Sequence, residues 1–75
     1  MFKVITKSEY CDVGAPGQSD ASIAAMIKVL EAARTFTHDN EIEDYRFKLS
    51  TDVEECVIDP HYAVMAHYAT ITIDW

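Results

Sequence analysis

The hydrophobic period of this chain changes from two to about 3.6 and back to two, and the changeovers fall on turn-forming residues. Residues 2–10, FKVITKSEY, alternate, with Phe2, Val4, Thr6, Ser8 and Tyr10 on one side. Lys3, Ile5, Lys7 and Glu9 take the other, so the first set is the expected apolar face and Ile5 sits among charges. Cys11 to Gln18 contains Gly14, Pro16 and Gly17, which is turn chemistry. A helix is expected from about Asp20 to Arg34 or Phe36, with Ser19 or Asp20 as its N-cap. Ile23, Met26, Ile27, Leu30 and Ala33 recur at three and four and form its apolar stripe. The alanines among residues 21–33 raise propensity and allow close approach to a sheet.

Thr37 to Asn40 reads as the turn out of the helix, and Ile42 to Ser50 alternates again. Ser50-Thr51-Asp52 predicts a short turn, Val53 to Ile58 a further short strand, and Asp59-Pro60 another turn. Tyr62 to Ile73 is rich in β-branched and aromatic residues. It is apolar on both faces over Tyr62–Tyr68, which suggests a central strand or one with a sticky outer face. The order is β-α-β-β, or β-α-β-β-β if Val53–Ile58 pairs separately. The expected fold class is α+β: one domain, 1–75, in two layers, with one helix packed on a small antiparallel sheet.

A chain of 75 residues buries roughly 60–65% of its unfolded surface, so its core is small. Two cysteines, Cys11 and Cys56, are too few for a disulfide framework. Met1-Phe2-Lys3-Val4 runs directly into the alternating pattern without a secretory leader, so reduced thiols and a cytoplasmic location are expected. No apolar run approaches the ~20 residues that span a bilayer.

Charge is segregated. Eight of the thirteen acidic residues lie between Asp39 and Asp59, opposed there only by Arg46 and Lys48, within a net charge of −7. Residues 1–38 balance four acids with four bases. A one-sided negative field steers encounter with a basic partner and disfavours nucleic acid and anionic lipid.

The residues offer little to catalysis. Cys11 lies beside Glu9 and Asp12, which oppose a thiolate. Glu43 with Asp44, and Glu54 with Glu55, are sequence neighbours that diverge in strands, unlike a facing acid–base pair. Gly14 to Ser19 lacks the lysine and spacing of a phosphate loop. Lys3 and Lys7 do not amount to a nucleic-acid patch. His61 and His67 stand ~20 Å apart along one strand, too far to share a metal. Cys56, Asp59 and His61 are ligand-like in type but bring no fourth ligand. The expectation is a non-enzyme with neither cofactor nor metal.

The expected partner-binding residues are Glu41, Glu43, Asp44, Asp52, Glu54, Glu55 and Asp59, joined by Tyr45, Tyr62 and Tyr68. Tyrosines beside acids are common interface anchors, since each buries a ring and keeps a polar tip. A solvated face that keeps a small protein soluble is the plainer account of the same acids.

In size and negative charge the whole chain resembles the small acidic proteins by which phages inhibit bacterial defence machinery, anti-CRISPR proteins among them. The resemblance implies a stoichiometric inhibitor that blocks the basic groove of a nucleic-acid-handling partner, and it carries over no individual residue. The alternative is a small homo-oligomeric structural or accessory protein, dimerising through an exposed strand edge or the second face of Tyr62–Tyr68.

Overall fold

The structure, a computed structural model, describes residues 1–13 and 17–75. Strand β1 spans Phe2–Asp12, helix α1 Gln18–Asp39, strand β2 Arg46–Asp59 and strand β3 Tyr62–Asp74. The three strands form one antiparallel sheet in the order β1-β3-β2, and α1 lies on one face of it. The β-α-β-β order matches the sequence reading, and of the two alternatives for Tyr62–Tyr68 the structure takes the central strand. β3 is apolar on both faces because both of its edges are paired.

Lys3 and Phe47 flank Ile73 across the sheet, and Ile5 and Leu49 flank Ile71. These rows face α1. Ala25, Val29 and Ala33 of the helix meet Ala69, Ile71 and Ile73, with Ile5, Met26, Phe36 and Leu49 packed around them. The apolar face of β1 is therefore the reverse of the one its alternation suggests. Ile5 points to the helix, while Phe2, Val4 and Tyr10 are exposed. The charged neighbours of Ile5 survive on the inner face because they lie at the sheet edge and find partners. Glu9 pairs with Lys28, Lys28 also donates to the Ser8 carbonyl at 3.3 Å, and the Lys3 ammonium sits 5.6 Å from the Phe36 ring centre. Their alkyl stems cover apolar surface while their heads reach water.

The helix differs from expectation in extent and in part of its stripe: Ala33 is buried and Met26 packs against the core as expected, but Ile23, Ile27 and Leu30 do not. It starts two residues earlier and ends three or more later, with Gly17 as N-cap and no side-chain cap in place of Ser19 or Asp20. Its buried residues are Ala21, Ala25, Val29 and Ala33, while Ile23, Ile27 and Leu30 are 50%, 52% and 42% exposed. Small residues win the inner face because an alanine row lets the helix axis settle close to the pleat. The C-terminus closes with Glu41 N–H donating to the His38 carbonyl at 3.2 Å and Ile42 N–H to the Thr37 carbonyl at 2.9 Å. This paired closure needs a left-handed residue, and Glu41 takes that role at φ 53°.

The expected turn at Ser50-Thr51-Asp52 does not form. β2 is one continuous strand of 14 residues, and those three residues pair with Thr70, Ala69 and Tyr68. The ladder to β3 supplies backbone partners that outweigh the local turn preference of Ser, Thr and Asp. The reversal comes at Pro60-His61, where the Asp59 carboxylate accepts the His61 N–H at 2.7 Å. A bulge between Val57 and Asp59 precedes it. Of the turn expected over Cys11–Gln18, Cys11 and Asp12 belong to β1, and residues 14–16 lie outside the described residues.

Candidate partner-binding surface

The face of the sheet opposite α1 carries the even-numbered residues of all three strands. At one end its rows are Phe2–Asp74–Arg46 and Val4–Thr72–Lys48. In the middle, Thr6 and Thr70 join hydroxyls at 3.0 Å. Toward the β2–β3 hairpin the rows become Ser8–Tyr68–Asp52, Tyr10–Ala66–Glu54 and Asp12–Val64–Cys56. Asp59 and Tyr62 follow at the hairpin end. Three tyrosines and four carboxylates thus share the hairpin half of one open face, and no lysine or arginine follows Lys48 in the chain. Ala66 is fully buried there without any helix above it, because the larger side chains around it shield its methyl group.

The tyrosine hydroxyls report this environment. Tyr62 donates to an Asp12 carboxylate oxygen at 3.1 Å. That bond, then the carboxylate's charge, holds the Tyr62 phenol above its ordinary range. Tyr68 is raised too, first by partial removal from water and then by Glu54, Cys56, Tyr10 and Asp52. Both shifts favour the protonated phenol in the folded chain. The folded state keeps these protons after the unfolded chain has released them, so stability falls as pH rises through the ordinary value of 10.0 and beyond. In an alkaline absorbance titration, Tyr62 and Tyr68 should ionise above the ordinary phenol value of 10.0. Asp12→Ala should return Tyr62 alone toward its ordinary value. An unchanged titration in that variant would remove Asp12 as the cause.

The structure divides the expected site residues. Asp52, Glu54, Asp59, Tyr62 and Tyr68 come together on the open face. Glu41, Glu43 and Asp44 lie in the connection between α1 and β2, at the opposite end of a molecule measuring 48 × 19 × 17 Å. Tyr45 stacks at 6.1 Å on Phe47 beside the helix, and Glu55 shares the helix-side parity opposite Met65. One sequence segment becomes two acidic ends because β2, 14 extended residues long, spans roughly 40 Å between them. Tyr10 and Asp12 belong to the surface and were not expected there. Their signal was the shared parity of positions 8, 10 and 12, which acquires meaning only once β1 is paired with β3.

Elsewhere, a groove of about 230 Å³ runs between α1 and β2, lined by Leu30, Ala33, Tyr45, Phe47, Ile71 and Ile73 among others. His67 is buried, with its Nε2 2.8 Å from the Gln18 side-chain oxygen, and so serves the helix N-terminus. Cys11 and Cys56 are free thiols on opposite faces of the sheet with β3 between them, a separation no disulfide bridges. Among the described residues, no group of three His, Cys, Asp or Glu side chains is placed to hold a metal ion. No protein-family model matches the chain, and no curated protein and no solved structure matches it.

Proposed function

We propose that this protein works by binding: a non-catalytic, stoichiometric inhibitor whose acid–tyrosine face docks on a basic, nucleic-acid-handling protein and blocks it. The observation that carries this reading is the grouping of Tyr10, Tyr62 and Tyr68 with Asp12, Asp52, Glu54 and Asp59 on a sheet face that no helix covers. The rings supply apolar contact area with polar tips. The carboxylates supply a field that attracts arginine and lysine and repels phosphate. A flat, open surface of this kind suits a protein partner better than a small substrate, which needs a concave, enclosed site. Anti-CRISPR proteins are the class whose mode of action this fits, with the defence complex of a phage host as the partner.

The test is capture by the tagged protein from a bacterial lysate, read by mass spectrometry at low and high salt. The wild type should recover one basic nucleic-acid-handling protein at low salt and lose it at high salt. Asp59→Lys combined with Tyr62→Ala should weaken that complex by tenfold or more, about 1.4 kcal/mol. Undiminished affinity in the double variant, or recovery indifferent to salt, would count against the surface. The accessory, self-associating role is the second reading, favoured by the uncovered edge of β2.

A further inference from the structure

We propose that a second copy of this chain pairs with the free edge of β2, antiparallel and two-fold about Ser50, to make a six-stranded sheet. The inference does not depend on the inhibitor reading. β2 is an edge strand, bonded to β3 alone. At 14 residues it is more than twice the usual strand length. It contains no proline and pairs in unbroken register up to the bulge between Val57 and Asp59. From Arg46 to Glu54 its edge is guarded by charged side chains and by the Asp52 carboxylate, which accepts the Val53 N–H at 2.8 Å, a local bond that the seam with the second copy exchanges for a cross-strand one. Along β2 only Leu49 and Cys56 are half-buried, and the other twelve residues are exposed.

The helix sits over β1 and β3 and, apart from Leu49, leaves the helix-side residues of β2 exposed. Phe47 is 57% exposed there and Val53 47%. Beside them Leu30 and Tyr45 line the open side of the α1–β2 groove. A flank this apolar on a 75-residue chain is a surface that gains by being covered.

The charge order along β2 selects the occupant. Reading from its start, the open-face positions are Arg46, Lys48, Ser50, Asp52 and Glu54: two bases, a neutral centre, two acids. In antiparallel pairing, a residue whose backbone groups cross the seam faces another that does the same, so a two-fold seam centres on a residue. Few centres are available. Lys48, Asp52 or Glu54 at the centre would face its own copy. Phe47 would set Arg46 against Lys48, and Val53 would set Asp52 against Glu54. Leu49 or Thr51 would match only one of the two bases with an acid. Ser50 alone opposes Arg46 to Glu54 and Lys48 to Asp52, each twice by symmetry. The same register sets Phe47 opposite Val53 and Leu49 opposite Thr51 on the helix side, which covers the exposed flank. Opposite charges and aromatic–β-branched pairs directly across strands are the stabilising pairs of a sheet. The hairpin beyond Glu55, with Asp59 and Tyr62, projects outside the seam.

Sedimentation of the untagged protein at high micromolar concentration tests the seam. The wild type should be a dimer. Arg46→Glu with Lys48→Glu should sediment as a monomer, and so should Asp52→Lys with Glu54→Lys, because each sets like charges across the seam. An equimolar mixture of the two variants should restore a dimer, since every pair is then opposite in sign. All four side chains are exposed, and circular dichroism checks that each variant keeps the fold. The register has its own readout. With Cys11 and Cys56 changed to serine, Ser50→Cys should oxidise to a covalent dimer, because residue 50 faces itself, and Val53→Cys should not. A wild-type monomer, a mixture that stays monomeric, or cross-linking at Val53→Cys without Ser50→Cys would overturn the proposal.

Discussion

Replacing Ile73 with alanine is expected to cost about 3 kcal/mol of folding stability, a large share of what a chain this size holds. Among the described residues, Ile71, Ile73 and Val29 are the largest side chains that are fully buried. Ile73 joins both layers, lying between Lys3 and Phe47 in the sheet and within the cluster formed by Ala33, Val29 and Ile71. A 75-residue domain at roughly 0.05–0.15 kcal/mol per residue has a total of about 4–11 kcal/mol. Truncation removes three carbons from a packed site next to the α1–β2 groove, and alanines on the facing helix cannot move in to fill the space. Urea unfolding should show a lower midpoint at an unchanged slope. A loss below about 1 kcal/mol would mean that the core does not depend on this side chain.

Enlarging Ala25 to leucine should cost about 1–3 kcal/mol, whereas Ile27→Ser should stay within about 0.5 kcal/mol of wild type. Ala25 is fully buried among Val29, Ala33 and Ala69, and its methyl group sets how closely the helix approaches the sheet. Three added carbons have no space and must push α1 outward along its length. Ile27 is 52% exposed on the far side of the helix, so its removal takes little apolar area out of contact. The pair discriminates two assignments of the helix. If the isoleucine stripe were the buried one, Ile27→Ser would be the damaging change and Ala25→Leu the mild one. Equilibrium unfolding of both variants decides it.

Ile23, Ile27 and Leu30 have the spacing of a buried face, and so do Ala21, Ala25, Val29 and Ala33. Hydrophobicity favours the first set. Closeness of approach favours the second, because the helix lies on a pleated sheet supplied with its own large residues by Ile71 and Ile73. Local pattern weighs one element at a time, while packing weighs the sum of two facing layers. β1 shows the same thing: one isoleucine on the inner face outweighs two lysines and a glutamate, since edge positions let charged ends reach water or a partner. In the candidate surface, Asp52, Glu54, Asp59, Tyr62 and Tyr68 were legible as an acidic, tyrosine-bearing segment. Tyr10 and Asp12 were not, because they come from the other end of the chain and meet the rest only across β3.

By itself the sequence determined what depends on neighbours along the chain. Its period identified one helix and four stretches of strand character, two of which belong to β2, its C-terminal run was apolar on both faces, and its charges concentrated between Asp39 and Asp59. Tertiary structure decided what depends on partners distant in sequence: which face of each element is buried, that β2 continues through Ser50-Thr51-Asp52, and which acids and tyrosines share a surface. The reason is physical. Periodicity arises from backbone geometry within an element, but burial and strand continuity are set by hydrogen bonds and contacts that exist only once β3 lies between β1 and β2 with α1 across them.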